Sequence, residues 1–231
     1  MKVGDLAADG VTAVVGAGGK KTTLYALCGL LDRAVLTATV RIPIFDDHVA
    51  AVRTGAPDLS PPYPLGLVAE RERSDRYRGH PTAVVDEVAA AHDGPVLVKA
   101  DGARNRLFKA PGDDEPQVPA SADRVVVVAS VRAVGDPIAE ATGHRPERVA
   151  ALAGCDVGDE LTPERMATVL AHPDGGRKGI PDDADCYVLL NAVDDATLED
   201  TAKEVADRLG DDAIDRTVLA RMNRPEIVAT R

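Results

Sequence analysis

Short runs built around consecutive apolar or β-branched residues alternate along this chain with longer stretches in which apolar residues recur every three or four places. Residues 11–15, "PVLVKADG" (95–102), "DRVVVVAS" (123–130) and "DCYVLLN" (185–191) are of the first kind. Strands buried on both faces read this way. Residues 34–40 and "TVLAR" (217–221) extend the set. Four helical patterns lie between them. Leu24, Leu27, Cys28 and Leu31 form one stripe of a helix over 20–32. A second helix, over 81–92, stops before Gly94. Thr162 as N-cap and Pro163 at the first turn open a third, with Leu161 placed to pack on Met166. The fourth, over 195–209, puts Leu198, Ala202, Val205, Ala206 and Leu209 on one face and ends at Gly210. Strands alternating with helices predict an α/β fold: a parallel sheet with helices on both faces. Ligands in such sheets sit at the carboxyl ends of the strands.

Two segments break the rhythm. Residues 55–79 run from proline-rich "GAPDLSPPYPLG" into the charged "ERERSDRYRG", which reads as a surface excursion. Residues 102–123 lack a repeating pattern and read as a long loop. Neither divides the chain, so the expectation is one domain over 1–231.

Composition narrows the function classes. The net charge of −11 argues against nucleic-acid and anionic-membrane partners. The chain has no apolar run of membrane-spanning length, and its first ten residues lack the apolar core of a signal peptide. Three widely spaced cysteines form neither a disulfide framework nor a metal pair, so a reducing cytoplasm is the expected setting. Cys28 falls on a helical core face and reads as packing. Twenty of the 27 basic residues are arginine. With the acidic surplus and few aromatics, that suggests a halophilic proteome, and it makes each lysine informative.

The sharpest chemical signal is Gly16-Ala17-Gly18-Gly19-Lys20-Lys21-Thr22-Thr23, which leaves a strand and opens a helix. Glycines let backbone N–H groups approach a phosphate, the helix start is electropositive, and a hydroxyl can ligate Mg²⁺. The loop is not a standard G-x-x-x-x-G-K-[ST], because Val14 stands where the first glycine belongs. Two registers remain: Lys20 as the phosphate lysine with Thr22 reaching the metal, or Lys21-Thr22 as the functional pair. The residues alone leave both open. Consecutive helical residues point about 100° apart, since a turn holds ~3.6 residues, so both lysines cannot serve alike. Asp101, after the apolar strand, is the expected Mg²⁺ partner and joins Lys20 as a catalytic candidate. Arg104 and Lys109 in the long loop are candidates to clamp a second anion. Asn191 and Asp194 resemble a guanine-reading element without its lysine; a helix cap by Asp194 or Asp195 is the plainer reading. Thr37 and Thr39 end a strand where hydroxyls could meet a γ-phosphate. No Ser-His-Asp order, HExxH or histidine cluster suggests other chemistry.

In order, "VVGAGGKKTTL", "LTATVRIP", "VKADGARNRLFKAPGDDEP", "GHRPERVAALAG", "GDELTPERM" and "LLNAVDD" resemble YqeC-type proteins over nearly the whole chain. The resemblance implies a P-loop NTPase-like fold, and matching the family's loop selects Lys20 as the phosphate lysine, with Thr22 reaching the metal. It also implies an accessory role in maturing a selenium-dependent molybdenum hydroxylase, with that enzyme or its maturation proteins as partners. Departures from the family pattern are Lys21 for the usual threonine, Lys99 for a glutamate, Ala192 for a lysine, and Ala38 in the threonine-rich strand end. They bear on hydrolysis more than on binding. The expectation is an Mg²⁺-dependent binder of ATP or GTP, working as an NTPase or in phosphoryl or nucleotidyl transfer. The alternatives are a non-catalytic nucleotide-sensing or cofactor-carrying module, and a small-molecule kinase or ligase.

Overall fold

The computed structural model describes residues 1–210 and 214–231. β1 (Val11–Gly16) leads through the glycine loop into α1 (Lys20–Leu30) and then β2 (Val35–Ala38). Five short strands follow: β3 (Ile42–Pro43), β4 (Ala51–Thr54), β5 (Leu65–Val68), β6 (Glu70–Arg73) and β7 (Arg76–Arg78). Next come α2 (Thr82–Ala91), β8 (Val96–Lys99), β9 (Phe108–Lys109), β10 (Ala122–Ser130) and β11 (Gly143–His144). The chain ends with α3 (Pro146–Ala153), α4 (Pro163–Ala171), β12 (Asp185–Asn191), α5 (Ala196–Leu209), β13 (Arg216–Arg221) and β14 (Glu226–Thr230).

Among the described residues, one nine-stranded sheet runs in the order β14-β13-β12-β10-β1-β8-β2-β5-β4. All its pairings are parallel except that of β14, which returns antiparallel along β13. The fold is therefore an α/β sheet of P-loop NTPase-like form. Alternation along β1 feeds two cores. Val11, Ala13 and Val15 pack with α2, α3, α4 and α5, while Val14 faces Leu24 and Leu27 of α1 on the other side. A small antiparallel sheet, β3-β7-β6, covers part of that second face through Ile42 and Tyr77.

The strand order fixes where a site can form. From β1 the chain moves outward to β2, β5 and β4 and returns to β8, on one side of β1. It then crosses to β10, on the other side. Loops leaving the carboxyl end of β1 and of its two neighbours diverge, which opens a crevice there.

The helix signals act as expected. Thr162 accepts a hydrogen bond from the Arg165 amide at 3.2 Å as N-cap of α4, and Asp195 accepts from the Leu198 amide at 2.9 Å as N-cap of α5. The stretch 55–79 differs from its reading as a surface excursion. Within it Leu65–Val68 is a wholly buried strand of the main sheet. Prolines on one side and the charge run on the other conceal that four-residue apolar core. The edge strand β14 also went unread, since "EIVAT" is too short to stand out.

Candidate functional site

The loop from Gly16 to Gly19 folds as it does because side chains have no room there. Gly16 has φ +90°, and a Cβ on it would lie 2.2 Å from the Val128 carbonyl oxygen. Gly19 has φ +145°, and its Cβ would meet the Asn191 amide nitrogen at 2.1 Å. The first loop amides are spent inside the protein. Gly16 N–H donates to Asp101 Oδ2 at 2.8 Å, Ala17 N–H to the Val128 carbonyl at 2.8 Å, and Gly18 N–H to the Arg106 carbonyl at 2.9 Å. Thr23 N–H closes the first helical turn on Gly19 at 2.9 Å. The amides of Gly19, Lys20, Lys21 and Thr22 find no acceptor among the described residues, and these four residues line a cleft. A helix start with unspent donors facing a cavity suits an anion.

The two lysines part company. The Lys20 ammonium is buried against the Gly16 carbonyl and lies 2.8 Å from Asp101 Oδ1. That contact is a close ion pair without hydrogen-bond alignment, so Oδ1 lacks a well-aimed donor. Asp101 also holds Lys109 at 2.9 Å. Lys109 in turn donates to the Gly102 carbonyl at 2.6 Å and to Glu115 Oε2 at 2.8 Å, where Arg145 joins it at 2.8 Å. Lys21 instead extends over the cleft rim, 3.4 Å from Asn105 Oδ1.

Burial sets the proton affinities here. Desolvation lowers the Lys20 pKa despite the attraction of Asp101. Desolvation, then the charge of Lys20, brings Lys99 down to about 7. For Glu115, burial works upward, yet Lys109 and Arg145 outweigh it and hold the carboxyl at about 2.

The cleft measures about 630 Å³. Lys20, Lys21, Arg104, Arg106 and Arg132 line it, together with Arg41, Arg76 and Lys99. Asp194 is the one acid among the described lining residues, and Arg132 holds it at 2.7 Å. Such a concentration of cations in a chain of net charge −11 points to an anionic ligand. Ser130, at the end of β10, adds a fully buried hydroxyl on the cleft wall with no partner among the described residues.

A family model described as "YqeC protein" matches residues 12–147, more than half of the chain. The chain belongs to the YqeC family. The "Uncharacterized protein YqeC" of Escherichia coli (strain K12) is 26% identical over 182 residues, spanning 74% of this chain and 71% of its own length. The family match takes in the glycine loop, Asp101, Lys109 and Glu115, while Asn191 and Asp194 lie beyond it.

Of the candidates named from sequence, Gly18, Gly19, Lys20, Lys21, Thr22, Arg104, Asn191 and Asp194 share the cleft lining. Gly16 and Asp101 sit just beneath, around a separate void of about 20 Å³. Thr23 turns its hydroxyl back to the Gly19 carbonyl at 3.1 Å. Thr37 and Thr39 are outside the lining and serve neighbouring backbone, the Leu67 carbonyl at 2.8 Å and the Gln117 carbonyl at 2.6 Å. Lys109 points inward to its carboxylates, away from the cleft. Asn191 is tied up in structure: its amide donates to the Gly18 carbonyl at 2.8 Å and its oxygen accepts from the Met222 amide at 2.9 Å. Sequence reading passed over Arg41, Arg76, Arg132 and Ser130. Arg41 lay within the "TATVRIP" motif, but only the folded chain brings it to the cleft.

Proposed function

We propose that this protein is a nucleotide-binding accessory factor, taking ATP or GTP at the Gly16–Thr23 loop, in the maturation of a molybdenum hydroxylase. The observation that carries the nucleotide part is the row of four unspent amides at the start of α1, opening on a cation-lined cleft. The maturation setting, with a selenium-dependent hydroxylase or its maturation proteins as partners, rests on the motif resemblance of the chain to its family. Lys21, Arg104 and Arg106 would meet the phosphates in place of the expected Lys20, whose ammonium Asp101 neutralises from below. Asp194 would be the group nearest to a base-reading role.

Mg²⁺ fits unevenly. Thr22 faces the cleft, but Asp101 does not line it, and two ammonium groups and the Gly16 amide already claim its oxygens. No cluster of three metal-binding side chains occurs among the described residues. Mg²⁺ would therefore arrive on the phosphates, keep most of its waters, and gain the Thr22 hydroxyl. That scarcity of carboxylates favours a second reading, in which the protein binds or senses the nucleotide without turning it over.

A thermal-shift panel with ATP, GTP, CTP and a molybdopterin nucleotide, with and without Mg²⁺, tests the first claim. A ligand at 100 times its Kd stabilises by ~2.7 kcal/mol, and no shift with any nucleotide would refute nucleotide binding. Single-turnover incubation separates the readings, since product release identifies an NTPase or transferase. Comparing Lys20→Ala with Lys21→Ala fixes the register: the lysine whose loss alone abolishes binding is the phosphate contact.

A further inference from the structure

Three of the cleft's cations come from segments outside the glycine loop and the long loop after β8. Arg41 follows β2, Arg76 opens β7 on the small antiparallel sheet, and Lys99 ends β8. Lys99 is 6% exposed, yet no carboxylate pairs with it among the described residues. Its ammonium donates to the carbonyls of Arg41 at 2.8 Å and Asp101 at 2.7 Å. An ammonium has three N–H groups, so one donor remains. A buried cation without a counter-ion is costly, and an anion entering the cleft would supply it. Glu72 grips Arg41 at two points, 2.6 Å each, which fixes the guanidinium, and Asp75 lies 3.4 Å from Arg76. Neither acid is among the lining residues.

The two loops already supply cations and backbone donors enough for the phosphate tail of one nucleotide. We infer that Lys99, Arg41 and Arg76 form a second anion site, which holds a phosphate-bearing co-substrate beside the nucleotide. This rests on the nucleotide reading for the two loops only. The small antiparallel sheet then has a role: it brings Arg76 to the cleft and, through Glu72 of β6, orients Arg41.

Isothermal titration of inorganic pyrophosphate into the full-length chain, before and after saturation with ADP or GDP, tests this. The nucleotide-loaded protein should bind one pyrophosphate. Arg76→Ala and Lys99→Met should each weaken that binding by about tenfold, as loss of one charge-assisted contact does, and Arg76→Ala should leave the nucleotide Kd within about twofold. Arg76 is exposed enough that its variant should fold, and a thermal melt checks Lys99→Met. Pyrophosphate that only displaces nucleotide, or binds both variants as tightly as the parent, overturns the second site. Failure of the nucleotide reading looks different: no heat with either nucleotide. Pyrophosphate titrations without nucleotide then decide the second site alone, supporting it if the variants weaken them and overturning it if they do not.

Discussion

Asp101 carries two buried ammonium groups on one carboxylate and also fixes the first amide of the glycine loop. Its neighbours cannot be left without it. Removing one partner of a buried pair strands a charge, at ~3–5 kcal/mol. Asp101→Asn keeps the shape and should lower stability by about that much in urea melts. A variant as stable as the parent would show that the lysines relax to solvent. A pure metal ligand would behave otherwise, because its loss usually spares the apo fold. The double pairing was not legible in the sequence: Lys20 and Lys109 are far apart in the chain, and only the meeting of β1, β8 and β9 unites them.

At the scale of elements, Glu115 ties the long loop after β8 to the start of α3, through Lys109 and Arg145. Its folded pKa of about 2 lies below the ordinary 4.5. The stabilisation is therefore complete above pH 4.5 and is lost as pH falls from 4.5 towards 2. At ~1.36 kcal/mol per pH unit the interval is worth about 3 kcal/mol. Glu115→Gln should flatten the acid limb of the stability curve across that window; an unchanged limb would place the shift elsewhere. The elements themselves were largely readable. β8, β10 and β12 each hold an apolar run because helices or the small sheet cover both faces, and Thr162 and Asp195 announce their helices by capping. β5 and β14 were not, since four or five residues between prolines and charges leave no period to detect. The same limit hid Arg41 and Arg76: cleft lining depends on which loops the strand order brings together.

At the scale of the whole molecule, none of the described helices is long and apolar enough to cross a membrane. The net charge of −11 surrounds a cleft lined, among the described residues, by eight basic residues and one acid. A small anion approaching from solution first meets the repulsive exterior. Raising salt from ~0.01 M to ~0.1 M shortens the screening length from ~30 Å to ~10 Å. Association of a fluorescent nucleotide, followed by stopped flow, should therefore speed up over that range. A rate that falls steeply would mean the cleft's own field reaches past the surface. The contrast between rim and interior has a further result, which concerns size. A polymer must lay many phosphates along the acidic exterior before one reaches the lysines. A compact anion crosses that layer once and leaves nothing of itself outside. If the cleft takes a nucleotide as proposed, the charge pattern acts as a sieve, admitting molecules short enough to be swallowed whole.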